Sequence, residues 1–472
     1  MNTKGTGFTA EKVDLLQNKI REIYLGDSRP WVIGYSGGKD SSCVLQLTWY
    51  ALQELPKDKR IKPIYVISSD TLVETPAVVN QIDESLKLIQ EKAIEQSMPI
   101  TVHKVIPEIH DTFWVNMIGR GLPAPYTNFR WCTDRMKIAP TTSFIKRKIA
   151  EYGEVTILLG SRRSESSSRG LVMSNRKDKG EYLSWHSDIA NALVFTPIEE
   201  WATNDVWEYL MAVPNPWSGR NDAIVTMYRN AQSGECPLVI DKTTPSCGGG
   251  RFGCWTCTVV QKDRSMEAMI ENGDAWMQPM LDLRDWLTET QIPENKPKIR
   301  DHRRRNGRVE FFDAGGDKRL IWGPYRLEFR KEILRKLLKA QVQVRKNGPD
   351  SKVDLIRLEE LHKIRQLWLH EEGDWEDELP RIHKEETGET IDWLVDDHAG
   401  VGGIEKILLQ EAAKKAGLPP GLMRELLDVE RNHAGMSRRS GIYDKLDSVF
   451  GKDWENLAET LAKTENQPGV EE

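Results

Sequence analysis

The residues best suited to chemistry form a glycine- and serine-rich run, 36–42, near the start of the sequence. An apolar segment with the composition of a β-strand, 31–36, leads into the run, and a helix-like segment, 41–55, follows it. Adjacent glycines let the backbone approach an anion closely, and the first turn of a helix offers unpaired N–H groups and a positive dipole end. The spacing therefore predicts a phosphate-binding loop. Its residues are Ser36, Gly37, Gly38, Lys39, Asp40, Ser41 and Ser42.

Four of the six cysteines cluster in a glycine-rich stretch that ends in a CxxC pair. Four thiolates on a flexible loop suit zinc or an iron–sulfur cluster. The spacing lacks the two compact CxxC knuckles of a zinc ribbon, so we expect a [4Fe–4S] cluster. Zinc, or thiols that bind nothing, are the alternatives. The predicted metal ligands are Cys236, Cys247, Cys254 and Cys257.

The segments that must position these residues alternate between strand-like and helix-like patterns. Short, apolar, β-branched segments occur at 31–36, 62–68, 100–106, 155–160 and 192–198. Helix-length segments lie between them, which predicts an α/β fold with a parallel five-stranded sheet and helices on both faces. Ligands of such sheets bind at the carboxyl ends of the strands.

Two loops at this predicted edge carry charged residues. The first follows the second strand and contains Asp70, and a helix-capping role for Thr75 and Pro76 is its structural alternative. The second follows the fourth strand, and its arginines could neutralise a phosphoryl or sulfuryl group. A solvated polar loop is the alternative there. The residues expected to contact a nucleotide are Asp70, Gly160, Arg162, Glu165 and Arg169.

A further cysteine, Cys132, lies between the third and fourth strands. Arg135 and Lys137 follow it closely, and nearby positive charge lowers the pKa of a thiol and favours the nucleophilic thiolate. The segment therefore predicts a catalytic cysteine, with a buried structural cysteine as the alternative. Cys43, on the helix-like segment after the phosphate loop, is expected to be a small core residue.

A chain of 472 residues favours several domains. The pattern predicts an α/β domain at 1–213, a Cys-rich segment at 214–265, a mainly helical and locally basic domain at 266–460, and a disordered tail at 461–472. No apolar stretch reaches the roughly eighteen residues of a membrane span, and the first residues lack a signal-peptide core. A cytoplasmic protein without a membrane partner is therefore expected.

The net charge of -6 argues against a surface covered in nucleic-acid-binding charge. A basic run at 296–308, KPKIRDHRRRNGR, could still neutralise several phosphates of a nucleic acid. A solvated charged surface is the alternative interpretation of this run.

The quoted motifs carry a family resemblance. The loop SGGKDSS resembles the PP-loop of ATP pyrophosphatases, and RWCTDRMK at 130–137 resembles a segment of the phosphoadenylyl-sulfate reductases within that superfamily. With the clustered cysteines and the stretch RNHAGMSRRSGIYDKL at 431–446, the sequence is more narrowly similar to the DndC family of bacterial DNA phosphorothioation. Two departures argue against a sulfonucleotide reductase. The last two hundred or so residues contain no catalytic cysteine, and Cys132 stands where cluster-binding reductases have a cysteine pair.

The resemblance implies a PP-loop fold and an enzyme that cleaves ATP, bound with Mg²⁺, to AMP and pyrophosphate. The adenylylated acceptor would be a DNA backbone phosphate, and its sulfur would come from a cysteine desulfurase. DNA and other phosphorothioation proteins are the implied partners. The residues implied in catalysis are Lys39, Asp40, Cys132, Arg162 and Arg163.

Two other functions remain open at this point. The acceptor could be a sulfonucleotide or a tRNA base. Alternatively, the chain could be an assembly subunit, gated by nucleotide and cluster, that turns nothing over.

Overall fold

The computed structural model of the protein describes residues 9–163, 182–231, 253–313, 318–393, 403–433 and 439–460. The chain divides into two compact units. The first comprises Met1–Phe113 and Pro125–Arg284, and the second comprises Trp114–Ala124 and Asp285–Glu472.

A six-stranded sheet organises the first unit. Its strands are β1 (Trp31–Gly34), β2 (Ile64–Ser69), β3 (Ile100–Val105), β4 (Val155–Leu158), β5 (Leu183–Trp185) and β6 (Ala192–Phe195). They lie in the order β3-β2-β1-β4-β6-β5, and all neighbours are parallel except β5, which pairs antiparallel with β6. The five predicted strands and their parallel arrangement are confirmed. The short edge strand β5 was not predicted, because three half-buried residues carry no detectable alternation of apolar and polar side chains.

Helices cover both faces of this sheet, as predicted. The helices of the first unit are α1 (Ala10–Leu25), α2 (Lys39–Gln53), α3 (Pro76–Glu95), α4 (Trp131–Thr133), α5 (Ala139–Tyr152), α6 (Thr203–Ala212), α7 (Asp222–Ala231) and α8 (Arg264–Glu271); α9 (Gln278–Glu289) runs into the second unit. A π-helical turn, Asp134–Ile138, joins α4 to α5. Thr203 is the first residue of α6.

The central strand β1 is buried along its whole length, because its side chains enter two different cores. Trp31 and Ile33 pack in one core with α1, α2, α3 and α6. Val32 packs in the other with Phe144 and Ile145 of α5. Cys43 of α2 is fully buried in the first core, as expected. Burial on both faces fixes where β1 ends, and therefore where the loop after it begins.

The second unit is mainly helical, as predicted for the C-terminal region. Its further helices are α10 (Lys296–Ile299), α11 (Leu327–Asn347), α12 (Leu358–Leu367), α13 (Glu378–Thr387), α14 (Gly403–Ala416), α15 (Pro420–His433) and α16 (Ile442–Phe450), with a hairpin of β7 (Phe311–Asp313) and β8 (Lys318–Leu320). The segment Trp114–Ala124 is tied to this unit by Trp indole hydrogen bonds. Trp114 donates to the Leu355 carbonyl at 2.7 Å, and Trp368 donates to the Ile118 carbonyl at 2.9 Å.

Several arginines of the basic run at 296–308 are engaged within the second unit. Arg300 donates to the carbonyls of Gly323 and Trp322, at 2.7 and 2.6 Å. Arg303 pairs with Asp301 at 3.3 Å, and Arg304 with Glu310 at 3.5 Å. Part of the charge predicted for nucleic-acid binding is therefore used internally. None of the helices in the described ranges is long and apolar enough to cross a membrane.

One buried amide holds the helices after β6 against α2. Asn221, immediately before α7, accepts a hydrogen bond from the Gln46 amide at 2.7 Å and donates to the Leu210 carbonyl at 2.7 Å. Gln46 is fully buried and Asn221 is 7% exposed. Truncating Asn221 would leave buried polar groups on both α2 and α6 without partners, and such groups are costly.

We therefore expect Asn221→Ala to lower the free energy of unfolding by about 2–3 kcal/mol. The exposed Asn18→Ala variant is the control and should change it by less than about 0.5 kcal/mol. Urea titrations followed by tryptophan fluorescence measure both. Equal stability of the two variants would contradict a linking role for Asn221.

Candidate nucleotide and thiol site

The predicted phosphate loop connects β1 to α2. Gly37 adopts φ +72°, a left-handed conformation that a side chain would strain, and Gly38 caps the helix. The hydroxyl of Ser41 accepts from the Ser36 N–H at 3.2 Å and donates to the Gly38 carbonyl at 3.0 Å. The loop is therefore folded back on the first turn of α2 by its own serine, with the helix N-terminus directly behind it.

Three charged residues meet behind this loop. The carboxylate of Asp40 contacts the Lys39 ammonium at 2.7 Å through one oxygen and the Arg162 guanidinium at 2.7 Å through the other. The side chains of Lys39 and Arg162 are each 1% exposed, and that of Asp40 is 13% exposed. Arg162 also donates to the Thr203 hydroxyl at 3.1 Å, which ties it to α6. Two cations share one carboxylate, so the group carries a net positive charge at the end of the sheet.

The loop after β4 reaches this group because Gly160 has no side chain. A Cβ on Gly160 would lie 2.8 Å from the Asp40 carbonyl carbon and 2.9 Å from its oxygen. Backbone atoms cannot give way as a flexible side chain can. Gly160 is thus required for the approach of Arg162 to Asp40, which gives a physical reason for its predicted place in the site.

The remaining predicted residues of the β4 loop differ in their outcome. Arg163 pairs with Glu199 at 2.6 Å and with Glu200 at 2.9 Å, and its side chain is 45% exposed. Two carboxylates thus compete with any ligand for Arg163, which weakens its predicted catalytic role. Glu165 and Arg169 lie outside the described residues. Ser42 is fully buried, so its expected contact with a ligand would need the helix start to move.

Sequence reasoning missed Tyr228 of α7. Its hydroxyl oxygen accepts from the Lys39 backbone N–H at 3.3 Å, and the Lys39 ammonium lies 5.8 Å from the centre of its ring. Tyr228 thus occupies an N–H of the helix start that a phosphate would otherwise contact. Nothing in the sequence near Tyr228 marks it, because the contact joins residues 189 positions apart.

Asp70 lies in the loop after β2, as predicted, and its carboxylate is held on two sides. One oxygen accepts from the Leu72 N–H at 2.8 Å, and the other pairs with Lys104 at 2.9 Å. Lys104 also pairs with Asp83 at 2.9 Å. Thr75 is the cap residue of α3, with Pro76 as its first residue, so the structural role proposed for this loop is also present.

The same β2 loop meets the CxxC pair. The Cys254 sulfur lies 3.2 Å from the Thr71 hydroxyl, and the Trp255 N–H donates to the Val73 carbonyl at 2.9 Å. Glu74 forms an isolated antiparallel bridge with Cys254. These contacts bring residues about 180 positions apart to one end of the sheet, a proximity that spacing alone could not predict.

Cys132 also belongs to this group, close enough to interact electrostatically with Cys254 and Cys257. The charge of Lys137 acts on Cys132, Glu74 and Cys254 and favours their deprotonated forms. Burial outweighs that charge, and the Cys257 thiol adds to the effect, so the pKa of Cys132 rises to about 11. Burial likewise raises the pKa of Cys254 and of Glu74.

The predicted low pKa of Cys132 was therefore wrong. The charge of Lys137 lowers the pKa of Cys132, as expected, but the charge of Arg135 is used in an ion pair with Asp111 at 2.7 Å. The rise in pKa caused by desolvation is larger than the fall caused by Lys137. In this structure Cys132 is a protected thiol and not an exposed thiolate.

The donor set around Cys132 fits a metal in chemistry but not yet in geometry. Cys132, Cys254 and Cys257 are unpaired thiols, and thiolates suit iron–sulfur clusters and zinc. Across the described part of the chain, no three His, Cys, Asp or Glu side chains lie close enough together to hold a metal ion. The two other predicted ligands, Cys236 and Cys247, lie outside the described residues.

Comparison with protein families decides the class of the domain that holds both groups. Residues 30–259 match the family model of the phosphoadenosine phosphosulfate reductase domain. Over these residues, just under half of the chain, the protein is similar to a PAPS reductase-like PP-loop domain. The domain's sheet, its loop after β1 and its β4 loop are those described above.

One relative matches part of the chain in sequence. An uncharacterized protein of Methanocaldococcus jannaschii is 30% identical over 199 residues, which are 42% of this chain. The match spans about a third, 35%, of that relative's length.

Solved structures that match part of this chain include three enzymes. The Candida auris phosphoadenylyl-sulfate reductase in complex with phosphate is 15% identical, with a TM-score of 0.27, and the match covers 45% of this chain and 91% of that chain. The NH3-dependent NAD synthetase of Campylobacter jejuni is 15% identical, with a TM-score of 0.29, and the match covers 46% of this chain and 76% of that chain. The U34-tRNA thiolase NcsA of Methanococcus maripaludis with its [4Fe-4S] cluster is 12% identical, with a TM-score of 0.28, and the match covers 60% of this chain and 82% of that chain. At these identities and TM-scores, no residue role follows from them.

The raised pKa of Cys132 predicts slow alkylation of this thiol in the metal-free protein. At pH 8 its thiolate fraction, and hence its rate with iodoacetamide, should be about a hundredfold lower than in an unfolded peptide, since the pKa rises from 9.0 to about 11. Because folding favours the neutral Cys132 thiol, its contribution to the free energy of unfolding is present below about pH 9 and is lost between about pH 9 and 11. Peptide mass spectrometry of pulse-alkylated protein measures the rate. A rate at pH 8 equal to that of the unfolded peptide would contradict the burial argument.

Proposed function

We propose that this protein is a PP-loop ATP pyrophosphatase and sulfurtransferase that activates a DNA backbone phosphate for phosphorothioate formation. The observation that carries the proposal is the buried Lys39–Asp40–Arg162 group behind a glycine- and serine-rich loop. A net positive group at a helix N-terminus suits the β,γ-pyrophosphate of ATP with its Mg²⁺.

The first step would transfer AMP to the acceptor. A non-bridging oxygen of the DNA phosphate attacks the α-phosphorus of ATP, the bond between the α-phosphorus and the bridging oxygen breaks, and pyrophosphate leaves. Negative charge grows on the departing pyrophosphate. Lys39 and Arg162 would stabilise that charge without reorganising, because Asp40 already holds both in place.

The second step would exchange the activated oxygen for sulfur. A persulfide on Cys132, supplied by a cysteine desulfurase, attacks the acceptor phosphorus through its outer sulfur, and AMP leaves with the oxygen. A second thiol then attacks the Cys132 sulfur, which releases the phosphorothioate and leaves a disulfide. Two electrons from a cellular dithiol then reduce this disulfide to the two thiols.

The predicted [4Fe–4S] cluster would be held by Cys254 and Cys257 together with Cys236 and Cys247. Bound there, it would supply electron-transfer or sulfur-handling chemistry next to Cys132. The nearby Lys137 would favour the thiolates that such a cluster needs.

DNA as the acceptor rests on the resemblance and on the basic run at 296–308, of which Lys298 and Arg308 are exposed in the second unit. Other phosphorothioation proteins would share the recognition of DNA. The same PP-loop chemistry would serve a tRNA base or a sulfonucleotide, so the acceptor has to be tested directly.

We expect Lys39→Ala to reduce AMP and pyrophosphate formation from ATP by about a hundredfold or more, because removing a preorganised cation from a charged transition state costs that much. Asp40→Asn keeps the shape but leaves two buried cations without a counter-charge, so it should lose activity and also stability. Lys59→Ala removes an exposed lysine and is the matched control. Chromatography of labelled nucleotides with DNA, tRNA or no acceptor measures the products.

Unchanged AMP formation in Lys39→Ala would remove the loop from the mechanism. Stimulation by tRNA and not by DNA would overturn the DNA acceptor while leaving the pyrophosphatase assignment intact. Nucleotide binding without any pyrophosphate release would favour a nucleotide-gated assembly subunit.

A further inference from the structure

A pocket lies at the carboxyl end of the edge strand β3, two strands away from β1 and its phosphate loop. It has a volume of about 580 Å³, which is within the range of small-molecule sites. One wall comes from the end of β3 and the residues after it, and the other from the Asp134–Ile138 turn and the first half of α5. No residue of the phosphate loop lines it.

The wall of this pocket carries more positive than negative charge. Lys104, Arg135 and Arg147 line it, against the carboxylates of Glu108 and Asp111. Arg135 is paired with Asp111, and Lys104 with residues of the β2 loop and α3. Among the described residues, no carboxylate lies within ion-pair distance of Arg147, which is exposed. One cation at the mouth of the pocket is thus available to an anion.

The rest of the wall is apolar and aromatic. The Arg147 guanidinium lies 5.7 Å from the centre of the Phe144 ring, and Phe144 itself is 5% exposed. His103 packs against the other side of this region, with its ring 5.0 Å from that of Phe144. Pro140 and Val105 also line the pocket, and His103 is a half-buried ring in this wall. A charged rim beside an apolar wall with a half-buried ring suits a ligand with a phosphate at one end and a planar ring at the other.

Two residues of the pocket wall connect it to the segments that hold the thiols. Arg135 belongs to the turn that directly follows the Cys132 segment and also holds Lys137. Lys104 contacts Asp70 at 2.9 Å, and Asp70 lies in the β2 loop that meets Cys254. The pocket is therefore linked through Arg135 and Lys104 to the segments around Cys132 and Cys254, and it lies on a different part of the sheet edge from the phosphate loop.

We infer that this pocket binds one nucleoside monophosphate unit of the acceptor strand, with the phosphate on Arg147 and the base against the apolar wall beside His103. The inference rests on the proposed function for the identity of the strand. It adds a specificity site that holds the nucleotide next to the one being modified. The guanidinium of an exposed arginine can donate two hydrogen bonds to a phosphate, and a ring in the wall can contact the face of a base.

The test is calorimetric titration of the full-length protein with its ATP site saturated by a non-hydrolysable ATP analogue. Deoxyguanosine monophosphate, deoxyguanosine and inorganic phosphate are the three probes. We expect the monophosphate to bind at least about tenfold more tightly than either fragment, because both ends of the pocket then contribute. Arg147→Glu should weaken that binding at least about tenfold, and Arg147→Lys by less.

Lys146→Glu makes the same charge change at the neighbouring exposed position of α5, which does not line the pocket, and should bind like wild type. Thermal melting of the two Glu variants confirms that both are folded. Absence of binding in wild type, equal affinity for inorganic phosphate and the monophosphate, or equal loss in Lys146→Glu would each overturn the inference. Binding of the monophosphate needs no ATP cleavage. If the protein binds the monophosphate but forms no AMP from ATP, the proposed function is contradicted and the binding site is not.

Discussion

The carboxylate of Asp40 lies between Lys39 and Arg162, and the geometry of the candidate nucleotide site depends on that contact. Lys39 and Asp40 begin α2, whereas Arg162 comes from the loop after β4, so one buried carboxylate joins two neighbouring strands at their carboxyl ends. Gly160 permits the approach, since any side chain there would meet the backbone of Asp40. A buried ion pair of this kind costs desolvation, and removing one partner from such a pair typically costs about 3–5 kcal/mol. Because breaking this ion-pair group costs so much free energy, Lys39 and Arg162 are held in fixed positions. Stabilisation of a charged transition state requires cations held in this way.

The sequence allowed most of the sheet to be predicted because the inner strands β2, β1, β4 and β6 are short, apolar and buried, as inner strands of a parallel sheet are. The phosphate loop could be predicted for a local reason, since strand, glycines and helix follow each other without interruption. The role of Arg162 could also be predicted, because the carboxyl ends of parallel strands lie at the same edge of the sheet. Tyr228 and the meeting of the β2 loop with Cys254 were not, because each joins residues far apart through the packing of helices that periodicity does not orient.

The thiols show where local reasoning gives the wrong sign. Lys137 next to Cys132 suggests a thiolate, and its charge does act that way, yet burial raises the pKa of the thiol to about 11. Desolvation depends on the fold around a residue and not on its neighbours in sequence. A protected thiol beside two others is suited to holding sulfur or a cluster that would be lost from an exposed site. The positive charge of Lys137 would stabilise the thiolate form of these cysteines once a sulfur ligand, persulfide or metal makes that form favourable.

The most direct test of DNA sulfuration is mass spectrometry of digested genomic DNA from the host with and without this gene. The account predicts phosphorothioate dinucleotides that vanish on deletion, return with the wild-type gene or with Lys59→Ala, and do not return with Lys39→Ala. Phosphorothioates that persist after deletion, or that Lys39→Ala restores fully, would contradict it. Their absence from the undeleted strain would contradict the DNA acceptor and direct the search to sulfur in tRNA and small nucleotides.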